Sequence, residues 1–160
     1  MLTLHFENFL QMTLNEVQEE IIGEFEQFGD WMEKYNYLID LSKSLEPLDA
    51  KHKTSDNLIR GCQSRVWLTA EMQDGLLIFK ADSDAIITKG IIALLVRVLS
   101  GRKPEEIMNI DLYFIDQIGL RQNLSPTRSN GLLSMVKQMK MYALAYYAKE
   151  KQDIRTKTSQ

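Results

Sequence analysis

A β-hairpin pattern set among helical patterns is the feature that most restricts the fold of this chain. Residues 66–72 are rich in strand-forming side chains, and residues 76–81 read as the returning strand. Between them, Gln73-Asp74-Gly75 contains the Asp-Gly pair that is typical of a tight hairpin turn. Because helical spacing surrounds this pair of strands, we predict an α+β fold in which helices pack on one face of a small antiparallel sheet.

Two amphipathic helices are predicted before the hairpin. Thr13 and Glu16 fit a capping box at the start of the first helix. Asp30 offers the cap of the second helix, and apolar residues follow it at intervals of three or four. Residues 45–58 contain a proline and many polar side chains, which indicates a connection rather than a regular element.

Helices are also predicted for most of the chain after the hairpin. In chain order these are an apolar helix capped by Asp82 or Ser83 and stopped at Gly101, a short helix from Pro104, a short helix within residues 110–119, and a long helix from Ser125-Pro126 to about Ala148. The first of them is apolar on most sides, so it should be central in the core. A metal site at Asp82-Ser83-Asp84 is less favoured than the helix cap.

The length of 160 residues predicts one domain. We place it at residues 1–150. Residues 151–160 are polar and are expected to form a frayed tail.

The charges are segregated along the chain although the net charge is only -3. Residues 1–50 hold eleven Asp or Glu and two Lys, whereas residues 126–160 hold seven Lys or Arg and two Asp or Glu. Solvated faces are the favoured explanation, and ion pairs between the two segments or steering of a partner remain open. The pI of about 5.5 argues against nucleic acid as the main partner.

No membrane or secretory signal is predicted. The longest apolar run, residues 90–96, is broken by Arg97 and is too short to span a bilayer. The first residues lack the basic segment, long apolar segment and small-residue cleavage site of a signal peptide. We therefore expect a cytoplasmic location and no membrane partner.

The chain has a single cysteine, Cys62, and this excludes an internal disulfide and any metal site built from several thiolates. Only His5 and His52 could add imidazole ligands, and they lie far apart in the sequence. A site of histidine and carboxylate ligands stays open, but nothing in the sequence indicates one, so no metal ion is predicted.

Cys62 is the main candidate for chemistry, although a lone cysteine is most often a small buried side chain. It lies in a predicted loop after Gly61, with Arg60 and Arg65 close in sequence and Arg128 able to join through folding. Positive charge near a thiol favours the reactive thiolate. A cysteine hydrolase would want a histidine base, whereas exchange between thiols and sulfur needs none. The sequence therefore favours sulfur exchange over hydrolysis.

Four segments resemble the SufE family of sulfur acceptors. Residues 61–67 are similar to its GCQSxVW signature, and residues 81–90 to its DSDAxIxKG segment. Residues 124–132 resemble LxPSRxxGL, with Thr127 where serine is common, and residues 31–40 resemble a helix of the family. The resemblance covers about residues 15–148, nearly the whole predicted domain.

This resemblance implies a fold similar to that of IscU-type scaffolds and a partner cysteine desulfurase, SufS-like. Cys62 would take the terminal sulfur of the desulfurase persulfide, stimulate the desulfurase, and pass the sulfur to an iron–sulfur scaffold complex. Pyridoxal phosphate would belong to the desulfurase, so the chain would carry no cofactor and would not be a stand-alone enzyme. A homodimer is left open.

Two supporting residues, Arg60 and Gly61, are predicted from their charge and backbone freedom beside Cys62. The resemblance suggests three more by their motif position: Gln63, Asp84 and Arg128. Asp84 and Arg128 would shape the Cys62 loop or the docking face, and Gln63 would bond the loop backbone. The alternative function is a non-catalytic regulatory or interaction module of a desulfurase, in which Cys62 is structural. A cluster scaffold is disfavoured because the chain has one cysteine.

Overall fold

The computed structural model describes residues 12–158, so His5 lies outside the described residues. The elements are α1 (Leu14–Glu26), α2 (Trp31–Ser42), β1 (Val66–Gln73), β2 (Leu76–Ser83), α3 (Ile86–Leu99), α4 (Pro104–Asn109), α5 (Phe114–Gln117), α6 (Leu120–Asn123) and α7 (Pro126–Thr158). The connection between α2 and β1 holds two 3₁₀ turns, Ala50–His52 and Ser55–Asn57. The predicted α+β architecture is confirmed.

The hairpin has the predicted turn. Asp74 and Gly75 both have positive φ, at 53° and 81°, as a two-residue turn of this kind requires. The antiparallel pairing runs from Gln73 opposite Leu76 to Val66 opposite Ser83. Side chains on one face of the sheet are buried, and the most deeply buried among them are Val66, Leu68, Leu77, Phe79 and Ala81. This face packs against the helices.

Helix α3 is the centre of the core, as its composition predicts. It packs against β2, α1, α2 and α7, and it is buried along nearly its whole length from Thr88 to Leu99. The contact with α2 is very close at Gly90, because a Cβ built there would lie 2.3 Å from the Leu38 carbonyl oxygen. A glycine is therefore required at this crossing.

Three predicted helix starts are confirmed by their caps. The Thr13 hydroxyl accepts from the Glu16 N–H at 3.1 Å, and the Asp30 carboxylate accepts from the Glu33 N–H at 2.9 Å. The Ser125 hydroxyl accepts from the backbone N–H of α7 three residues later, at 3.2 Å. Each side chain satisfies a backbone donor that the helix itself leaves unpaired.

The predicted cap of α3 is wrong. Ala85 occupies the N-cap position, and no side chain caps the helix. Strand β2 continues to Ser83, so Asp82 belongs to the strand rather than to the start of the helix. Asp82 is buried there and forms ion pairs with Lys53 at 2.9 Å and Lys89 at 3.2 Å, which tie the connection before the hairpin to the sheet and to α3.

The predicted end of the last helix is also wrong. Helix α7 continues past Ala148 to Thr158, so residues 151–158 of the predicted tail are helical and exposed. Residues 149–158 contain no glycine or proline, and most of them are good helix formers, so nothing in the sequence stops the helix. The short helix α6 is an element that the sequence analysis missed.

The acidic side chains of α1 that form ion pairs do so with α3. On α1, Glu24 pairs with Arg97 of α3, and Glu20 also approaches Arg97, at 3.5 Å. This hydrogen-bonded pairing with Arg97 holds the pKa of Glu24 below its usual value. Within residues 12–158 no ion pair joins α1 or α2 to α7.

Within residues 12–158, no helix combines the length and apolarity needed to cross a membrane.

The close crossing of α2 and α3 generates a stability prediction. Gly90→Ala should lower the free energy of unfolding by about 1–3 kcal/mol, because the added methyl group would overlap the Leu38 carbonyl oxygen and force the helices apart. Gly23→Ala is the matched control, since this exposed glycine in α1 has no atom within 4 Å of an added Cβ. The control should gain about 0.5–1 kcal/mol. Urea denaturation measures both, and equal stability of Gly90→Ala and the unsubstituted protein would contradict this packing.

Candidate functional site

The loop that carries Cys62 spans residues 59–65 and is held at its C-terminal end by residues that precede α3. The Arg65 N–H donates to the Asp84 carboxylate at 3.0 Å, and the Ser83 hydroxyl donates to the Arg65 carbonyl at 2.8 Å. The Asp84 N–H also donates to that carbonyl, at 3.2 Å. Asp84 therefore fixes the point where the loop enters β1.

Two glycines bring the loop against α7. Gly61 has φ of +93°, and a Cβ there would lie 2.4 Å from the Ser134 hydroxyl oxygen. The Cys62 thiol donates to the Gly131 carbonyl, with sulfur and oxygen 3.6 Å apart. A Cβ at Gly131 would lie 3.6 Å from the same sulfur. A side chain at Gly61 would push the loop off the helix, whereas a methyl group at Gly131 would make ordinary van der Waals contact with the thiol.

Gly131 and Ser134 are site residues that the sequence analysis did not select. A glycine inside a long helix costs stability compared with alanine, by about 1 kcal/mol. Gly131 therefore carried a signal of close approach, although the sequence could not identify the approaching group. Ser134 carried no such signal, because an exposed-looking serine in a helix is ordinary.

Cys62 opens on a cavity of about 400 Å³ between the loop, α3 and α7. Hydroxyl-bearing and apolar side chains share the lining, which comprises Cys62, Gln63, Ser64, Thr88, Ile91, Ser125, Thr127, Arg128, Gly131 and Met135. The volume is within the range of small-ligand sites, about 300–1,000 Å³. Among the predicted site residues, the fold therefore brings Gln63 and Arg128 to Cys62.

The arginines do not form the predicted cluster around the thiol. Arg60, Arg65 and Arg128 are all exposed, and of the three only Arg128 lines the cavity. Burial raises the pKa of the half-buried Cys62 thiol. Contrary to the expectation from sequence, the cysteine therefore rests as a neutral thiol when the loop lies in this position.

One further expectation, the one for Gln63, is not met in this arrangement. Within residues 12–158, the Gln63 side chain makes no hydrogen bond to the loop backbone, although it lines the cavity. His52 does not line the cavity and lies in a 3₁₀ turn of the connection, so it is not placed as a base for Cys62. Over the same residues, no group of three His, Cys, Asp or Glu side chains could hold a metal ion.

This geometry suits a cysteine that reacts only when something moves it. The thiol is hydrogen-bonded, half-buried and neutral, and the loop bonds at one end to Asp84 and packs on α7 through Gly61. A thiolate is the nucleophile in exchange with sulfur. Release of the loop would expose Cys62 and remove the burial that disfavours its ionised form.

The Asp84 contact generates a prediction about exposure. Asp84→Ala should increase the rate of Cys62 alkylation by iodoacetamide about five-fold, because losing one hydrogen bond of about 1 kcal/mol shifts the loop towards open conformations. Asp153→Ala, an exposed position far along α7, is the matched control and should not change the rate. Mass spectrometry follows the alkylation. Equal rates for both variants would show that Asp84 does not restrain the loop.

Comparison with known proteins places the chain in a family. Residues 19–143 match the family model described as SufE, Fe-S metabolism associated domain. The chain is 42% identical over 136 residues to SufE-like protein 1, chloroplastic/mitochondrial, of Arabidopsis thaliana, and this match covers 84% of the chain but 37% of that protein. It is 38% identical over 130 residues to the uncharacterized SufE-like protein R01000 of Rhizobium meliloti, covering 78% of the chain and 93% of the relative.

A third relative supports the same family, and a solved structure has the same fold. The uncharacterized SufE-like protein slr1419 of Synechocystis is 36% identical over 127 residues, covering 79% of the chain and 80% of the relative. The solution structure of a hypothetical protein from Thermus thermophilus shares the fold, with a TM-score of 0.68 at 16% identity, over 82% of the chain and 96% of that structure. The chain therefore belongs to the SufE family, whose domain is associated with Fe-S metabolism.

Proposed function

We propose that this chain accepts sulfur on Cys62 as a persulfide from a cysteine desulfurase and hands it to an iron–sulfur scaffold. The supporting observation is the place of Cys62, the only cysteine of the chain, on a loop held against α7 at the mouth of a cavity. No histidine that could serve as a base lines this cavity within residues 12–158. Sulfur exchange is the cysteine chemistry that needs no such base.

The proposed step transfers one sulfur atom without net oxidation or reduction. The Cys62 thiolate attacks the outer sulfur of the desulfurase persulfide and forms a new S–S bond, while the bond between the two donor sulfurs breaks. The donor cysteine leaves as a thiolate and takes up the proton that Cys62 loses. Handover repeats the exchange with an acceptor thiolate on the scaffold.

The resting geometry would also explain how such a carrier stimulates its donor. A desulfurase with a persulfide on its own cysteine cannot begin another turnover until that sulfur is removed. Docking that releases the Cys62 loop would supply the acceptor only at the donor site, because the closed loop keeps the thiol neutral and half-buried. Stimulation then requires both docking and Cys62.

The partner in this proposal follows from the same chemistry. Pyridoxal phosphate is expected in a SufS-like desulfurase and not in this chain, which acts as a sulfur-transfer partner rather than a stand-alone enzyme. The cytoplasm is the proposed location, whereas the Arabidopsis relative is named as chloroplastic/mitochondrial.

A mass measurement tests the assignment of Cys62. After incubation with a SufS-like desulfurase and cysteine, the protein should gain the mass of one sulfur atom, and a reductant should remove it. Cys62→Ser should gain no sulfur, because it removes the only thiol of the chain. Unmodified protein that leaves desulfurase turnover unchanged would refute the proposal.

A non-catalytic regulatory module is the second candidate, and the half-buried neutral thiol is the observation that favours it. In this case Cys62 would be a packing residue, and the stimulation would come from docking alone. The same Cys62→Ser protein separates the two functions: it should fail to stimulate desulfurase turnover if Cys62 carries sulfur and should stimulate fully if Cys62 is structural.

Arg128 generates a second prediction for this function. Its side chain is exposed at the cavity, and it makes no ion pair within residues 12–158, so it is available to a persulfide anion or to a docked partner. Arg128→Ala should reduce the rate of sulfur transfer at least about ten-fold while the melting temperature stays unchanged, because a charge-assisted contact contributes about 1.5–3 kcal/mol. Arg155→Ala, exposed near the end of α7, is the control. Transfer at the unsubstituted rate in Arg128→Ala would remove it from the functional residues.

A further inference from the structure

Thr88 is a buried hydroxyl whose place in the cavity is not explained by the fold. It lies in the first turn of α3, is only 6% exposed and lines the cavity together with Cys62. Within residues 12–158 its side chain has no hydrogen-bond partner. Every fully buried side-chain oxygen or nitrogen in this part of the chain has a hydrogen-bond partner. Because the Thr88 oxygen has none, it is not fully buried and stays accessible. An accessible hydroxyl without a protein partner can donate a hydrogen bond to a ligand in the cavity.

The backbone around Thr88 is also short of acceptors. Helix α3 begins after Ala85 without a side-chain cap, and the N–H groups of Ile86, Ile87 and Thr88 have no acceptor within residues 12–158. Such unpaired N–H groups give the first turn of a helix a partial positive charge. The start of α3 therefore favours an anion at this end of the helix.

The start of α7 borders the same cavity and adds to this charge. Ser125 and Thr127 at this start line the cavity, and so does Arg128, whose guanidinium carries a full positive charge. The two helix starts thus flank one space, with a hydroxyl donor and a guanidinium at its walls. Within residues 12–158 no acidic side chain lines the cavity, so no negative charge in its lining opposes an anion there.

The proposed function supplies an anion at this place. A persulfide on Cys62 puts its charge on the outer sulfur, about 2 Å beyond Sγ. The Gly131 carbonyl, which accepts from the thiol, offers no donor to that charge. A buried anion is tolerated only when donors or cations surround it. Thr88 is the only buried residue among the donor-bearing side chains of the lining, which are Gln63, Ser64, Thr88, Ser125, Thr127 and Arg128.

We propose that the cavity is an anion site for the outer sulfur of the Cys62 persulfide, and that the Thr88 hydroxyl is its hydrogen-bond donor. This inference rests on the proposed function. It adds a positioning residue that stabilises the loaded, ionised carrier while the loop is closed. Thr88 makes no contribution of this kind to the unloaded protein, in which its hydroxyl has no partner within residues 12–158.

Thr88→Val tests the inference, because it keeps the branched shape and removes the hydroxyl. The protein is loaded with sulfur by a SufS-like desulfurase and cysteine, separated from the desulfurase, and titrated by the near-ultraviolet absorbance of the persulfide anion. The titration midpoint should rise by about one pH unit, since a hydrogen bond to a charged group is worth about 1.5 kcal/mol or more. Thr88→Ser keeps the donor and should titrate like the unsubstituted protein. A Thr88→Val midpoint equal to that of the unsubstituted protein would overturn the inference.

Controls separate this result from failure of the fold or of the proposed function. Thr69→Val makes the same change in β1, away from the cavity, and should leave the midpoint unchanged. Thr88→Val should load with sulfur to the same extent as the unsubstituted protein, which shows that sulfur acceptance stands even if the anion site does not. Failure of the unsubstituted protein to load would overturn the proposed function and, with it, this inference. A lower melting temperature of Thr88→Val would not change how the titration is read. A raised midpoint in Thr88→Val with an unchanged one in Thr88→Ser still supports the site. A Thr88→Val midpoint equal to that of the unsubstituted protein still opposes it.

Discussion

The burial of α3 is the constraint on which the rest of the structure depends. Its apolar surface is covered by β2 on one side and by the other helices elsewhere, and the crossing with α2 leaves no room for a side chain at Gly90. The same helix carries Thr88 and Ile91 into the cavity wall, and Asp84 just before it holds the Cys62 loop. The position of the reactive cysteine is therefore set by the core and not by the loop alone.

The Cys62 loop must be held closed and must also be able to open, and weak contacts allow both. Its hydrogen bonds to Asp84 and Ser83, and that of the thiol to Gly131, each contribute about 1 kcal/mol or less to the closed form. Contacts of this size keep the loop closed most of the time and still permit a minor open population. A partner that binds the open form more tightly would shift this balance without any large rearrangement of the core.

Local sequence signals predicted most of the fold. The structure confirms the signals that depend only on residues close together in the sequence. These are the Asp74-Gly75 turn, the caps at Thr13, Asp30 and Ser125, and the apolar α3. The α3 cap was misplaced because Asp82 could serve a helix or a buried ion pair, and only the distant Lys53 decides between them. The end of α7 differs from the prediction because no residue stops the helix, and polar side chains suit a solvated helix as well as a frayed tail.

The candidate site was predictable in its centre and not in its surroundings. A single cysteine in a loop after a glycine could be found from sequence, but its neighbours Gly131, Ser134 and Thr88 are 69, 72 and 26 residues away along the chain. The expected effect of Arg60 and Arg65 on the thiol failed because closeness in sequence does not give side-chain direction, and both arginines lie exposed outside the cavity lining. Of the three arginines, only Arg128, brought by α7, reaches the cavity.

The neutral resting thiol is consistent with a carrier rather than with a free nucleophile. A thiolate exposed on a surface reacts with oxidants and with unrelated disulfides, and its susceptibility follows its ionised fraction and accessibility. Burial against α7 lowers both the ionised fraction and the accessibility of Cys62. Selectivity in the proposed function then comes from where the loop opens, while the cavity donors act only after sulfur has arrived. In the proposed function the open loop is thus the reactive state and the closed loop is the protected one. Helices α3 and α7 provide the fixed surface for the closed state.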